Sequence, residues 1–125
     1  MKKLGVILLS LTLIAVVTVF AAESGTVKIG FMGALTGDVA MYGQPTLAGM
    51  KMAADEVNKA GGINGKKIEI VEADNRGDKQ ESATITQKFI SRDKVVAVVG
   101  DPTTGITKVA APICERNKII FGILY

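Results

Sequence analysis

VKIGFMGALTG, running from Val27 to Gly37, is the stretch that decides the fold. Thr26 to Met32 is rich in branched and aromatic residues and is stopped by Gly33, which predicts a strand. A polar, glycine-bearing loop follows through Thr36, Gly37 and Tyr42-Gly43, and Pro45 stands where the first turn of a helix tolerates it. Leu47, Met50, Ala54 and Val57 then recur at spacings of three and four, one apolar stripe of a helix that ends at Gly61-Gly62. A strand leading through such a loop into an amphipathic helix is the opening unit of an α/β fold.

The same alternation continues downstream. Asn64-Gly65 marks a tight turn, and Lys67 to Ala73 reads as a second strand. Asp78 with Glu81 three residues later is a capping-box signature for a second helix carrying Ile85, Phe89 and Ile90. Val95 to Val99 is a continuous apolar run, as in a strand buried on both faces. Beyond Gly100-Asp101-Pro102, Thr103, Thr104 and Gly105 open a third helix to about Arg116, and Ile119 to Phe121 begins a fourth strand. Strands alternating with helices across short loops imply an α/β, doubly wound parallel sheet with helices on both faces and a ligand crevice at the carboxyl ends of the strands.

Upstream, Lys2 and Lys3 precede an uncharged run from Leu4 to Phe20, and Val19-Phe20-Ala21 presents small residues where a signal peptidase reads. Residues 1–21 are therefore expected to be a signal peptide, with the domain at 22–125. The apolar run is 17 residues long, at the short limit for a bilayer span, so a retained membrane anchor is the alternative. Without the leader about 104 residues remain, enough for one domain with a modest core. The formal charge falls from +3 to +1, and the charges are scattered, which leaves no footprint for nucleic acid. The single cysteine, Cys114, cannot make an internal disulfide and is expected to pack as a small hydrophobe.

In an open parallel sheet each loop after a strand delivers a helix N-terminus, where unpaired N–H groups favour an anion. Two such loops stand out, Gly33 to Gly43 and Asp101 to Gly105. Thr103 and Thr104 place two hydroxyls beside the bare backbone of Gly105, and a hydroxyl both donates to a carboxylate and accepts from an ammonium group. Either threonine serves equally well as a helix cap. Tyr42 offers an apolar wall with a polar tip for an aliphatic side chain, or is a partly buried surface tyrosine.

Taken together, GALTG at Gly33 to Gly37 with Tyr42-Gly43, GMKMAADEVNKAGGINGKKIEIVEAD from Gly49 to Asp74, Asp78-Lys79-Gln80, and VVAVVG with its threonines resemble the N-terminal lobe of the leucine/isoleucine/valine-binding receptors, the solute-binding component of branched-chain amino-acid ABC transporters. The resemblance covers Val27 to Lys118. It implies two α/β lobes closing on a ligand across a hinge, a periplasmic location, and a permease as partner. It also implies that Thr104 binds the ligand's head group and that Tyr42 lines the pocket. After the fourth strand the family carries Ser or Thr, Pro, small residues and a further Thr, whereas this chain reads Phe121-Gly122-Ile123-Leu124-Tyr125. A frameshift or premature stop is the expectation from that departure, leaving part of one lobe with an open, association-prone fourth strand and weak or no binding by itself.

Two other classes fit less well. The glycines at 30, 33 and 37 lack the G-x-G-x-x-G spacing of a dinucleotide site, and there is no histidine to serve as general base or metal ligand. Asp74, Asp78 and Asp101 are explained by caps and strand-end solvation rather than by a metal, so no cofactor, metal or catalytic residue is expected. A ligand-sensing or membrane-anchored interaction domain of the same fold is the remaining alternative, since fold alone does not settle function.

Overall fold

A computed structural model of the chain describes residues 25–100 and 102–124. The leader expected at residues 1–21 lies outside them, as does Asp101. In order, the elements are β1 (Thr26–Gly33), α1 (Ala40–Lys59), β2 (Lys67–Asp74), α2 (Lys79–Lys88) with a π-helical turn at Phe89–Asp93, β3 (Ala97–Gly100), α3 (Thr104–Arg116) and β4 (Ile120–Ile123). The strands form one sheet in the order β2-β1-β3-β4, every neighbouring pair parallel. None of the described helices is long and apolar enough to cross a membrane.

The register divides the side chains between two layers. Gly30 and Met32 of β1 share a face with Val71 and Ala73 of β2, Val98 of β3 and Phe121 of β4. Against this face pack α2 and α3, with Ile85, Phe89, Ile106, Ala110 and Cys114 completing the buried core. Gly30 has no Cβ because the Phe89 ring occupies that place, with Cδ2 2.7 Å from where a Cβ would sit. Cys114 is fully buried, and burial pushes its thiol pKa up, as befits a packing residue rather than a reactive one.

On the other face α1 covers β1 and β2, burying Leu47 and Ala54. Met50 and Val57 from the same stripe border an open apolar cleft of about 180 Å³ between α1 and Ile29, Ile68 and Ile70. Asn58 ties the end of this helix to β2, donating to the Ile68 carbonyl (2.8 Å) and accepting from its N–H (2.6 Å). The expectation that the third strand is buried on both faces is not met. Val98 is buried, but Ala97 and Val99 are only half-buried, and among the described helices α1 lies over β1 and β2 rather than over that side of β3.

Helix α1 also corrects the sequence reading, since it starts at Ala40 and not near Pro45. Proline in a helix loses the bond its missing N–H would make and crowds the carbonyl one turn back, but Pro45 lies only one turn from the start of α1, and Thr46 Oγ1 donates to the Tyr42 carbonyl there (2.8 Å). Tyr42 and Gly43 are thereby helical rather than part of a loop. The capping box is half realised: Asp78 Oδ1 accepts from Glu81 N–H at 2.7 Å. Asp78→Ala is expected to lower stability by about 1 kcal/mol, measured as a drop in the urea midpoint, and Asp78→Asn by less.

Candidate functional site

The strand order reverses direction at β1. The chain passes from β1 outward to β2, then crosses back over β1 to β3 and continues to β4. The switch point therefore lies between the carboxyl ends of β1 and β3, where Met32 pairs with Gly100. The loop from Ala34 to Val39 and the first turn of α1 stand on one side of it. Pro102, Thr103 and the first turn of α3 stand on the other.

The β1 loop is held from two directions. Asp74, the last residue of β2, accepts from Leu35 N–H (2.9 Å) and Arg76 N–H (2.8 Å) through Oδ1, and from the Thr36 hydroxyl (2.5 Å) through Oδ2. Gln44 Nε2, on α1, donates to the Leu35 carbonyl at 2.8 Å. Gly37 turns the loop with φ of 80°, and Asn75 N–H donates to the Gly33 carbonyl (3.1 Å), joining the β2 loop to the end of β1. Partial burial alone raises the Asp74 pKa, but the bonds from Thr36, Leu35 and Arg76 outweigh it and hold the carboxyl below its ordinary range. A group depressed on folding contributes stability that is complete above its unfolded pKa and is lost as pH falls through the folded value. Asp74→Asn is accordingly expected to flatten the acid limb of the stability curve below about pH 4 in urea titrations.

Gly43 allows α1 to begin this close to β1, because a Cβ there would overlap the Ala34 carbonyl oxygen. Tyr42, its neighbour, is 56% exposed on the first turn of the helix. Across the switch point Thr103 takes the N-cap position of α3 in an extended conformation, but its side chain makes no capping bond to that turn. Its carbonyl accepts instead from Thr107 N–H and hydroxyl, at 3.1 and 3.2 Å. Thr103 and Thr104 are exposed. The open side of Gly105 is occupied by Lys79, whose Cε lies 2.7 Å from the Cβ position, so the start of α2 rests against the start of α3.

The arrangement thus places two helix N-termini after adjacent strands, with exposed Tyr42 on the first and exposed Thr103 and Thr104 at the second, and braces the β1 loop through Asp74 and Gln44. It suits a small ligand with an anionic end and an apolar body. Among the described residues no cluster of three or more Cys, Asp or Glu is placed to hold a metal ion. The apolar cleft beside α1 and a more polar one between the carboxyl ends of α2 and α3 both lie away from the switch point. Reading the sequence missed the bracing by Asp74 and Gln44; the one local signal was Asn75-Arg76-Gly77, an Asx-turn pattern just after a strand.

A model of the periplasmic binding protein family matches residues 26–123. The leucine-, isoleucine-, valine-, threonine-, and alanine-binding protein of Pseudomonas aeruginosa is 35% identical over 101 residues, which make up 81% of this chain and 27% of that protein. The Leu/Ile/Val-binding protein of Escherichia coli is 31% identical over 94 residues, 75% of this chain and 25% of its own length. The branched-chain amino acid transporter substrate binding protein LivJ of Streptococcus pneumoniae, solved in complex with isoleucine, superposes with a TM-score of 0.74 at 37% identity, covering 80% of this chain and 30% of that one. The chain spans less than a third of the length of these relatives.

Proposed function

The chain belongs to the periplasmic binding protein family, and from that membership we propose that it forms part of the N-terminal lobe of an extracytoplasmic receptor for leucine, isoleucine, valine or a related amino acid. The ligand is handed unchanged to the permease of an ABC importer, with no catalytic step. Residues 1–21 direct export and are removed after Ala21, which releases the domain into the periplasm; if the leader is retained, it anchors the domain to the membrane.

The observation that carries this reading is the parallel order β2-β1-β3-β4, which sets the loop after β1 and the start of α3 at the carboxyl ends of two adjacent strands. The ligand carboxylate lies against the N-terminal turn of α3, where Thr104 donates its hydroxyl and Thr103 and Gly105 supply the adjoining backbone. Tyr42 covers the aliphatic side chain. In the relatives named as amino-acid-binding proteins the matched segment is about a quarter of the chain, so residues 22–125 alone supply one wall of the site. A ligand of about nine non-hydrogen atoms, with half its contacts made, retains roughly −4 kcal/mol, a millimolar Kd.

Titration of the purified chain with L-leucine, followed by ligand-observed NMR, is expected to give saturable millimolar binding. Thr104→Val is expected to weaken it about tenfold and Thr104→Ser to preserve it, since a hydrogen bond to a charged group is at stake. Equal binding by wild type and Thr104→Val contradicts the assignment of Thr104. Turnover of any amino acid contradicts the non-catalytic reading.

A further inference from the structure

Asp74 ends β2, one strand removed from the switch point, yet its carboxylate binds the loop that borders the site. Oδ1 accepts from Leu35 N–H at 2.9 Å and Oδ2 from the Thr36 hydroxyl at 2.5 Å, while the Arg76 N–H, at 2.8 Å, fixes the carboxylate itself. The opposite side of the same loop is held by Gln44 through the Leu35 carbonyl. The Leu35 residue is thus pinned at both its N–H and its C=O. We infer that Asp74 is a positioning residue for ligand capture, acting through Leu35 and Thr36 without touching the ligand; this inference rests on the function proposed above.

The physical argument is one of ordering. The segment from Ala34 to Val39 has no repetitive secondary structure to fix it, and each residue of a free loop that a ligand must order costs binding free energy. An ionised carboxylate accepting several donors is a strong brace, because charge-assisted bonds are shorter and stronger than neutral ones. The depressed pKa keeps that brace charged throughout the neutral range. Thr36 is committed to Asp74 through its hydroxyl, which assigns it to the frame of the loop rather than to the head group of the ligand. Bracing from β2 ties the loop after β1 to the end of the neighbouring strand, which favours one loop geometry before a ligand arrives.

The test compares L-leucine affinity of the purified chain with that of Asp74→Asn, Thr36→Val, Thr36→Ser and the double variant Asp74→Asn/Thr36→Val, with amide NMR shifts and urea midpoints recorded on each. Asp74→Asn is expected to weaken leucine about tenfold and Thr36→Val about threefold, and the double variant no more than Asp74→Asn alone, because both remove one brace. Thr36→Ser is expected to bind as wild type. The Leu35 and Arg76 amide signals are expected to move in Asp74→Asn and to titrate with the carboxylate in wild type. Thr36→Val leaves the sheet and helices untouched, so it reads the brace even where Asp74→Asn lowers the urea midpoint. Leucine binding by wild type with undiminished affinity in Thr36→Val and Asp74→Asn overturns this inference alone, as do losses that multiply in the double variant. No leucine binding by wild type overturns the proposed function and the inference with it.

Discussion

Phe89→Ala is expected to destabilise the domain by about 3–5 kcal/mol, the usual cost of emptying a large aromatic site in a packed core. Phe89 is fully buried, and its ring fills the space that Gly30 leaves at the middle of β1. It also begins the π-helical turn, where its carbonyl accepts from Val95 N–H at 3.1 Å and leads the chain through Lys94, at φ of 58°, into β3. The ring thus joins α2 to the sheet at the strand that borders the candidate site. Domains of this size have roughly 5–15 kcal/mol of total stability, so the variant loses a large fraction of it. Urea unfolding followed by circular dichroism is the measurement, and a midpoint within about 0.3 M of wild type contradicts the packing described.

Gly43→Ala is expected to destabilise by about 3 kcal/mol, against the direction that helix propensity gives. Replacing glycine by alanine in a helix interior ordinarily stabilises by roughly 0.5–1 kcal/mol. At Gly43 the added carbon meets the backbone of Ala34, which has no rotamer by which to move aside, so overpacking decides the sign. Gly49, in the same helix, has nothing within 4 Å of its Cβ position. Gly49→Ala is therefore the control and is expected to raise stability by about 0.5–1 kcal/mol. Two substitutions of the same chemistry, six positions apart in one helix, should move the urea midpoint in opposite directions. Both moving upward contradicts the close approach of α1 to β1. Displacement of α1 in Gly43→Ala also carries Tyr42 and Gln44 away from the β1 loop, so leucine binding should fall with stability.

The alternation of strand and helix was legible because it rests on periodicity: Leu47 and Ala54 on one stripe, and Ile85 and Phe89 on another, are buried as their spacing requires. Turns were legible where the residue type demands them. Asn64-Gly65 adopts positive φ at both positions, and Gly61 and Gly62 do so after α1. Element ends were less so. Gly33 and Asp74 extend their strands by one residue because they pair with each other in the register, a fact held in neither segment alone. The start of α1 was misread because Pro45 signals a first turn, while the close contact of Gly43 with Ala34 is a tertiary event.

The candidate site divides along the same line. The loops after β1 and β3 follow from the order of elements, and Thr103, Thr104, Gly105 and Tyr42 follow from composition and resemblance. The brace does not, because Asp74 and Leu35 are 39 positions apart and meet only once β1 and β2 have paired. The half-buried side of β3 was illegible for a related reason. Val95 to Val99 reads as buried throughout, and which half of the sheet α1 covers is settled by the crossover from β1 to β2 rather than by the strand.

The most direct test of the central claim, that an amino acid binds at the carboxyl ends of β1 and β3, is an amide NMR titration of the purified chain with L-leucine up to about 50 mM, well above a millimolar Kd. Saturable shifts confined to residues 33–43 and 102–107 are the predicted result. Shifts that cluster instead at the cleft beside Met50 and Val57, or no saturable shift at all, contradict it.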